Sequence, residues 1–150
     1  NILEHNYDLT DIKTLDLFGG TGSLRYQLAS RGATDQTIVE KDPNMHQFIK
    51  TTSQKLGLNI NIVKLDVFKF IRECREQYDL IFAGPPYALT EIDQLPDLIF
   101  KHHLLNQGGW FILEHTPRNN YTTHPYFKAE RHYGTTVFSI FIEQEKIPAK

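Results

Sequence analysis

"DLFGGTGSL", residues 16–24, runs an apolar strand pattern into three glycines and out again into a helical one. The strand is "KTLDLF" (13–18), and the helix is "SLRYQLASRG" (23–32), with Leu24, Leu28 and Ala29 on one face and Gly32 as its stop. Glycines at such a junction permit positive φ and let the backbone approach a ligand closely, while the N–H groups opening the helix point into the loop. The stretch reads as one β-α unit, and the rest of the chain repeats the pattern.

"QTIVE" (36–40) is a second strand, followed by a helix over 42–57 with Asp42 as N-cap, Pro43 at the first position and Gly57 at the end. "INIVKL" (60–65) is a third strand, after which Asp66 caps a helix running through Val67, Phe70, Ile71 and Cys74. "YDLIFA" (78–83) is the fourth strand, residues 91–105 are helical with a kink or late start expected at Pro96, and "GWFILEH" (109–115) is the fifth strand. The alternation then stops: "KAERHYG" (128–134) and "TTVFSIFIEQ" (135–144) are strand-like runs that meet at Gly134 with no room for a helix, so they form an antiparallel hairpin. The expected fold is α/β: a mostly parallel, Rossmann-like sheet with a C-terminal antiparallel hairpin and helices on both faces. Such sheets bind ligands at the carboxyl ends of their strands.

Composition narrows the class. At 150 residues, 40% hydrophobic and 23% charged, the chain suits a single domain with one core. No apolar run approaches the ~20 residues that span a bilayer and no signal peptide is evident, so the reading is a cytoplasmic protein without a membrane partner. The lone Cys74 forms no internal disulfide and reads as a half-buried structural thiol. Seven histidines (5, 46, 102, 103, 115, 124 and 132) lack zinc-like spacing and cysteine partners, so no metal site is expected. A formal charge of −2 gives no global attraction to nucleic acid, and any such partner needs a local basic face; Arg25, Arg31, Lys41 and Lys69 lie nearest the strand-end loops.

The glycine loop does not fit a dinucleotide. A G-x-G-x-x-G fingerprint counted from Gly20 through Gly22 finds Arg25 where the third glycine belongs. Glu40 closes the second strand, where a carboxylate accepts hydrogen bonds from ribose hydroxyls, and Asp66 closes the third, where one meets the exocyclic amine of an adenine. Each acid taken alone also fits a helix cap or a solvated side chain. With the loop, on successive strand ends, they describe a pocket for an adenosine-bearing ligand without a pyrophosphate, a shape that S-adenosyl-L-methionine has. The fourth strand stops at Gly84-Pro85-Pro86-Tyr87, which reads either as a plain turn or as the place where a second molecule reacts.

On "DLFGGTGSL", "ASRGA" (29–33), "VEKDP" (39–43), "LDVFKFI" (65–71), "YDLIFAGPPY" (78–87), "GGWFILEH" (108–115) and "FKAERHYGTTVFSIF" (127–141), the chain resembles a class I S-adenosylmethionine-dependent methyltransferase, and more narrowly the RsmD family, which methylates the exocyclic N2 amine of a guanine in small-subunit ribosomal RNA. The resemblance covers nearly the whole chain in order, and it implies a single methyltransferase domain over 1–150 that lacks a family N-terminal segment. It also implies S-adenosyl-L-methionine as cofactor, ribosomal RNA or the assembled small subunit as partner, and a monomer. Phe18, Gly19, Gly20 and Gly22 would surround the methionine portion with Asp16 behind them, Glu40 would hold the ribose with Lys41 next to it among the cofactor-binding residues, and Asp66 with Val67 would bind the adenine.

Gly84, Pro85, Pro86 and Tyr87 would be the catalytic loop. Amino methyltransferases place Asp or Asn before the two prolines, because a side-chain oxygen and a backbone carbonyl accept the two amine hydrogens and favour the pyramidal nitrogen that attacks the methyl group. Tyr87 would stack on the target base. Gly84 departs from that pattern, keeping the backbone carbonyl and losing the side-chain acceptor. Adenine-N6 and glutamine methyltransferases use related loops, and a cofactor-binding protein that transfers nothing is the third possibility the residues leave open.

Overall fold

The computed structural model describes residues 12–19 and 35–143. Seven strands form one sheet: β1 (Lys13–Leu17), β2 (Asp35–Val39), β3 (Ile60–Val63), β4 (Tyr78–Ala83), β5 (Leu105–His115), β6 (Phe127–Tyr133) and β7 (Thr136–Ile142). Their order across the sheet is β3-β2-β1-β4-β5-β7-β6. The first five pair in parallel, and β7 enters antiparallel to both β5 and β6. The hairpin turns at Gly134, whose φ of 61° is one that glycine adopts without strain. The expected first helix and Gly20 and Gly22 lie outside the described residues.

Three helices are described. α1 (Pro43–Lys55) starts as its sequence requires: Asp42 Oδ1 accepts from the N–H groups of Asn44 and Met45 at 2.9 and 3.4 Å, and Pro43 needs no partner at the first position. α2 (Val67–Glu73) is capped by Asp66, whose Oδ2 accepts from Lys69 N–H at 3.0 Å. α3 (Gln94–Lys101) is shorter than the 91–105 expected. Pro96 has no N–H to donate, so it fits only the first turn, and the chain spends residues 90–93 in turns before the helix begins. At the other end Leu105 already belongs to β5, which begins four residues before the expected Gly109. The pairing with β4 shifts between Tyr78 and Leu80, and Gly108, at φ 76°, lies in the irregular stretch that takes up the extra residues.

Strand alternation divides the apolar residues between the two faces. Leu15, Leu17, Ile81, Ala83, Phe111 and Leu113 join Ile71 of α2 and Leu95 and Ile99 of α3 in the larger cluster, in which each of these is 0–1% exposed. Leu80, Ile112 and Ile140 form the smaller cluster, ringed by Ile12, Phe82, Trp110 and Phe138. Parallel pairing aligns Leu17 with both Val39 and Ala83, Val39 with Val63, and Ala83 with Leu113. The carboxyl ends of β1 to β5 therefore share one edge, and among the described residues this edge carries Phe18, Gly19, Glu40, Asp66 and the Gly84–Tyr87 loop.

Candidate active site

On the β1–β3 side, Phe18 and Gly19 both turn left-handed, at φ 81° and 60°. For a phenylalanine this is a sparsely populated backbone held by its surroundings, with an expected strain of about 1–3 kcal/mol. Phe18 N–H donates to Val39 O at 3.1 Å, tying the loop to β2. Gly19 faces Glu40 so closely that a Cβ on it would stand 2.6 Å from Glu40 Oε1 and 3.2 Å from Glu40 Cβ. Only a glycine leaves the carboxylate where it is. Glu40 is held from the other side as well, its Oε2 accepting from Asp42 N–H at 3.0 Å. Asp16 lies half-buried on β1 and Lys41 is exposed beyond β2. Asp66 is exposed, Val67 behind it is 5% exposed, and the Asp66 carboxylate caps α2 as it presents itself at the edge.

On the β4–β5 side, Pro85 is buried and anchors the loop, while Pro86 is exposed and its carbonyl accepts from Leu89 N–H at 3.0 Å, closing the turn. Tyr87 is 73% exposed, which leaves most of its ring open to a planar partner. Beside it is a cavity of about 260 Å³ lined by the Pro-Pro-Tyr loop, Asp93, Glu114 and His115, among others. This is below the roughly 300 Å³ lower bound of pockets for drug-sized ligands and suits a single base.

The cavity walls are fixed by hydrogen-bonded groups. His115 is 1% exposed; its Nδ1 lies 2.8 Å from Thr116 O and its Nε2 lies 2.7 Å from Ser139 Oγ. A carbonyl can only accept, so Nδ1 carries a hydrogen toward Thr116, and Nε2 shares a hydrogen bond with the serine hydroxyl. Tyr121 O–H donates to Asp93 Oδ1 at 2.7 Å, which joins the loop after β5 to the start of α3. Burial and then the Asp93 hydrogen bond push the Tyr121 phenol far above its ordinary range, so it stays protonated.

Glu114 is the residue of this edge that the sequence reading passes over as the last polar position of a strand. Its carboxylate is half-buried, and desolvation holds its pKa above the ordinary carboxylate value. The only signal in the sequence is an acid closing the apolar run "WFIL" at a carboxyl end. Among the described residues no three His, Cys, Asp or Glu side chains are placed to hold a metal ion. None of the described helices is long and apolar enough to cross a membrane.

The sheet order, the antiparallel β7 and the loops gathered on one edge define a class I methyltransferase fold. A hypothetical protein of Thermus thermophilus, TTHA0928, superposes with a TM-score of 0.78 at 27% identity, over 88% of this chain and 75% of that one. The T. thermophilus 16S rRNA N2 G1207 methyltransferase RsmC, solved with AdoMet and guanosine, gives a TM-score of 0.72 at 21% identity over 89% of this chain and 38% of its own, a likeness of fold. The chain belongs to the family described as Conserved hypothetical protein 95, the RsmD family, whose model matches residues 1–142. It is 28% identical over 116 residues to ribosomal RNA small subunit methyltransferase D of Buchnera aphidicola subsp. Baizongia pistaciae, covering 71% of this chain and 59% of the relative. It is 25% identical over 107 residues to the enzyme of the same name from Escherichia coli K12, covering 71% and 51%. The chain thus spans little more than half the length of these curated relatives.

Proposed function

We propose that this protein transfers a methyl group from S-adenosyl-L-methionine to the exocyclic N2 amine of a guanine in small-subunit ribosomal RNA. One observation carries the reading: in a member of the RsmD family, the Gly19 turn packed against the fixed Glu40 carboxylate and the Pro-Pro-Tyr loop with its exposed aromatic and base-sized cavity occupy neighbouring strand ends of one sheet edge. The relatives named for ribosomal RNA methylation, and the neighbour of like fold solved with AdoMet and guanosine, support it.

The residues fit the cofactor. The bare glycine lets the β1 loop close against a carboxylate held in place at the end of β2, where a Cβ would collide with Glu40 and Ile49, and no pyrophosphate site accompanies it in the sequence. When bound there, S-adenosyl-L-methionine supplies a methyl group made electrophilic by its sulfonium. Glu40 would accept from the ribose hydroxyls, Asp66 and Val67 would take the adenine, and Phe18 and Gly19, with Gly20 and Gly22, would surround the methionine portion. On the neighbouring strand ends, Tyr87 would stack on the target base and the proline-fixed Gly84 carbonyl would accept one hydrogen of its amine.

Labelled cofactor offered with deproteinised small-subunit RNA, intact small subunits, DNA and protein tests the reading. Label is expected in the RNA or the subunit's RNA. Label in DNA or in protein glutamine would replace the acceptor, and cofactor binding with no transfer would leave a binding protein.

A further inference from the structure

The catalytic loop lacks a side-chain acceptor at position 84, yet a carboxylate stands beside that position. Gly84 has no left-handed strain, and a Cβ built on it points toward Glu114, 3.5 Å from Oε1, with Phe82 Cε1 at 3.2 Å. The sheet register explains the meeting: Phe82 pairs with Ile112 and Ala83 with Leu113, so the next residues, Gly84 and Glu114, come level on the same face. A side chain at 84 would have to share this space with Glu114. Among the described residues no hydrogen bond or ion pair engages the Glu114 carboxylate, although it is half-buried and lines the base-sized cavity. A desolvated carboxylate without a partner is costly to keep, which points to a partner that arrives with the substrate.

We propose that Glu114 supplies the acceptor missing at position 84: its carboxylate accepts the second hydrogen of the target amine and, by doing so, selects guanine. This rests on the methyltransferase reading and names the residue that reads the base. An ionised carboxylate only accepts hydrogen bonds, and it has two oxygens to do so. Guanine presents its N1–H beside the N2 amine, so the two oxygens meet two donors. Adenine presents the N1 lone pair beside its N6 amine, and that lone pair would face a carboxylate oxygen. As the amine lone pair forms the nitrogen–methyl bond, the electron pair of the broken carbon–sulfur bond stays on sulfur. The nitrogen's surplus proton passes to the Glu114 carboxylate and from there to water.

The cross-strand neighbours of Glu114 carry no titratable group, and two of the titratable groups across the cavity are already engaged. Its pairing partner on β7 is Phe138, and β4 presents Phe82 and Ala83 to β5 at this level, none of them titratable. The other charged or titratable side chains lining the cavity are Tyr87, Asp93, His115 and Arg118. Asp93 is taken by Tyr121, and His115 by Thr116 and Ser139.

The test compares the parent, E114Q, G84D and the double variant G84D/E114Q in the intact protein. Each is assayed for methyl transfer to guanine in unmethylated small-subunit RNA, for cofactor affinity by calorimetry and for guanosine and adenosine binding by titration. E114Q is expected to fold, keep its cofactor affinity, lose about ten- to a hundredfold in transfer and lose preference for guanosine over adenosine. G84D alone is expected to gain nothing, because the new carboxylate crowds the old one. In the E114Q background the same aspartate fills the vacated place and restores transfer. E114Q as fast as the parent, or a double variant as slow as E114Q, overturns the inference and leaves the methyltransferase reading intact. A parent that methylates a different acceptor, or nothing, overturns both.

Discussion

On the β1–β3 side of the sheet edge, Glu40 and Asp66 each already accept a backbone N–H, from Asp42 and Lys69, both at 3.0 Å. On the β4–β5 side, Glu114 accepts nothing from the described residues and desolvation raises its pKa, while Tyr87 is the most exposed large apolar side chain among the described residues. The two acids of the first side are braced before any ligand arrives. Its carboxylates cap helices or are braced by the next turn, so a ligand adds to a geometry already fixed, and little ordering is charged against binding. The second side is left incomplete, in the way expected of groups whose partner is the reacting molecule.

Gly19→Ala should break the first side most severely. A left-handed alanine costs about 1–2 kcal/mol, and pushing Glu40 aside adds roughly 1–3 kcal/mol of packing strain. Thermal unfolding should register the loss, and cofactor affinity should fall further than in any single change at Glu40. Glu40→Ala alone should weaken cofactor binding by about 1.5–3 kcal/mol, the worth of a hydrogen bond to a charged group, with stability nearly kept. Calorimetry giving equal affinity for variant and parent would remove Glu40 from the site.

Tyr87→Ala sharpens the division from the other side. Transfer and RNA capture should drop by roughly 1–3 kcal/mol of lost stacking while cofactor affinity stays put, and Tyr87→Phe should be mild. A loss of cofactor binding in the alanine variant would merge the two sides into one.

The smallest effect is in stability and concerns pH. Because the folded-state pKa of Glu114 is raised from 4.5, the folded protein holds more protons than the unfolded chain between that value and the raised one. Stability therefore falls as pH rises through this window, and the penalty persists at pH 7. Glu114→Gln should raise the melting temperature at pH 7 and leave it unchanged near pH 4. A variant that is more stable and slower identifies a group kept for chemistry at some expense to the fold.

Sequence reading captured the two sides unequally. β4 runs over the six residues expected of it, Tyr78–Ala83, because an apolar run closed by Gly-Pro-Pro has one interpretation. The places of Glu40 and Asp66 were legible because Glu40 stands between a strand and the Asp42 cap and Asp66 is itself the cap after a strand, positions that local pattern alone specifies. The start of β5 was not: Gly108 and Gly109 look like a break, while in the sheet they belong to an irregular stretch of a strand that already began at Leu105. Glu114 was hidden for a different reason. Its relation to Gly84 exists only across the β4–β5 register, and nothing in spacing along the chain shows which residues a parallel sheet brings level.

The most direct test of the account is the identity of the methylated nucleoside. Small-subunit RNA that has reacted with the intact protein and labelled cofactor is digested to nucleosides and resolved by mass spectrometry against standards. The account predicts the label in N2-methylguanosine. Label in N6-methyladenosine, or none in RNA although the cofactor binds, would contradict it.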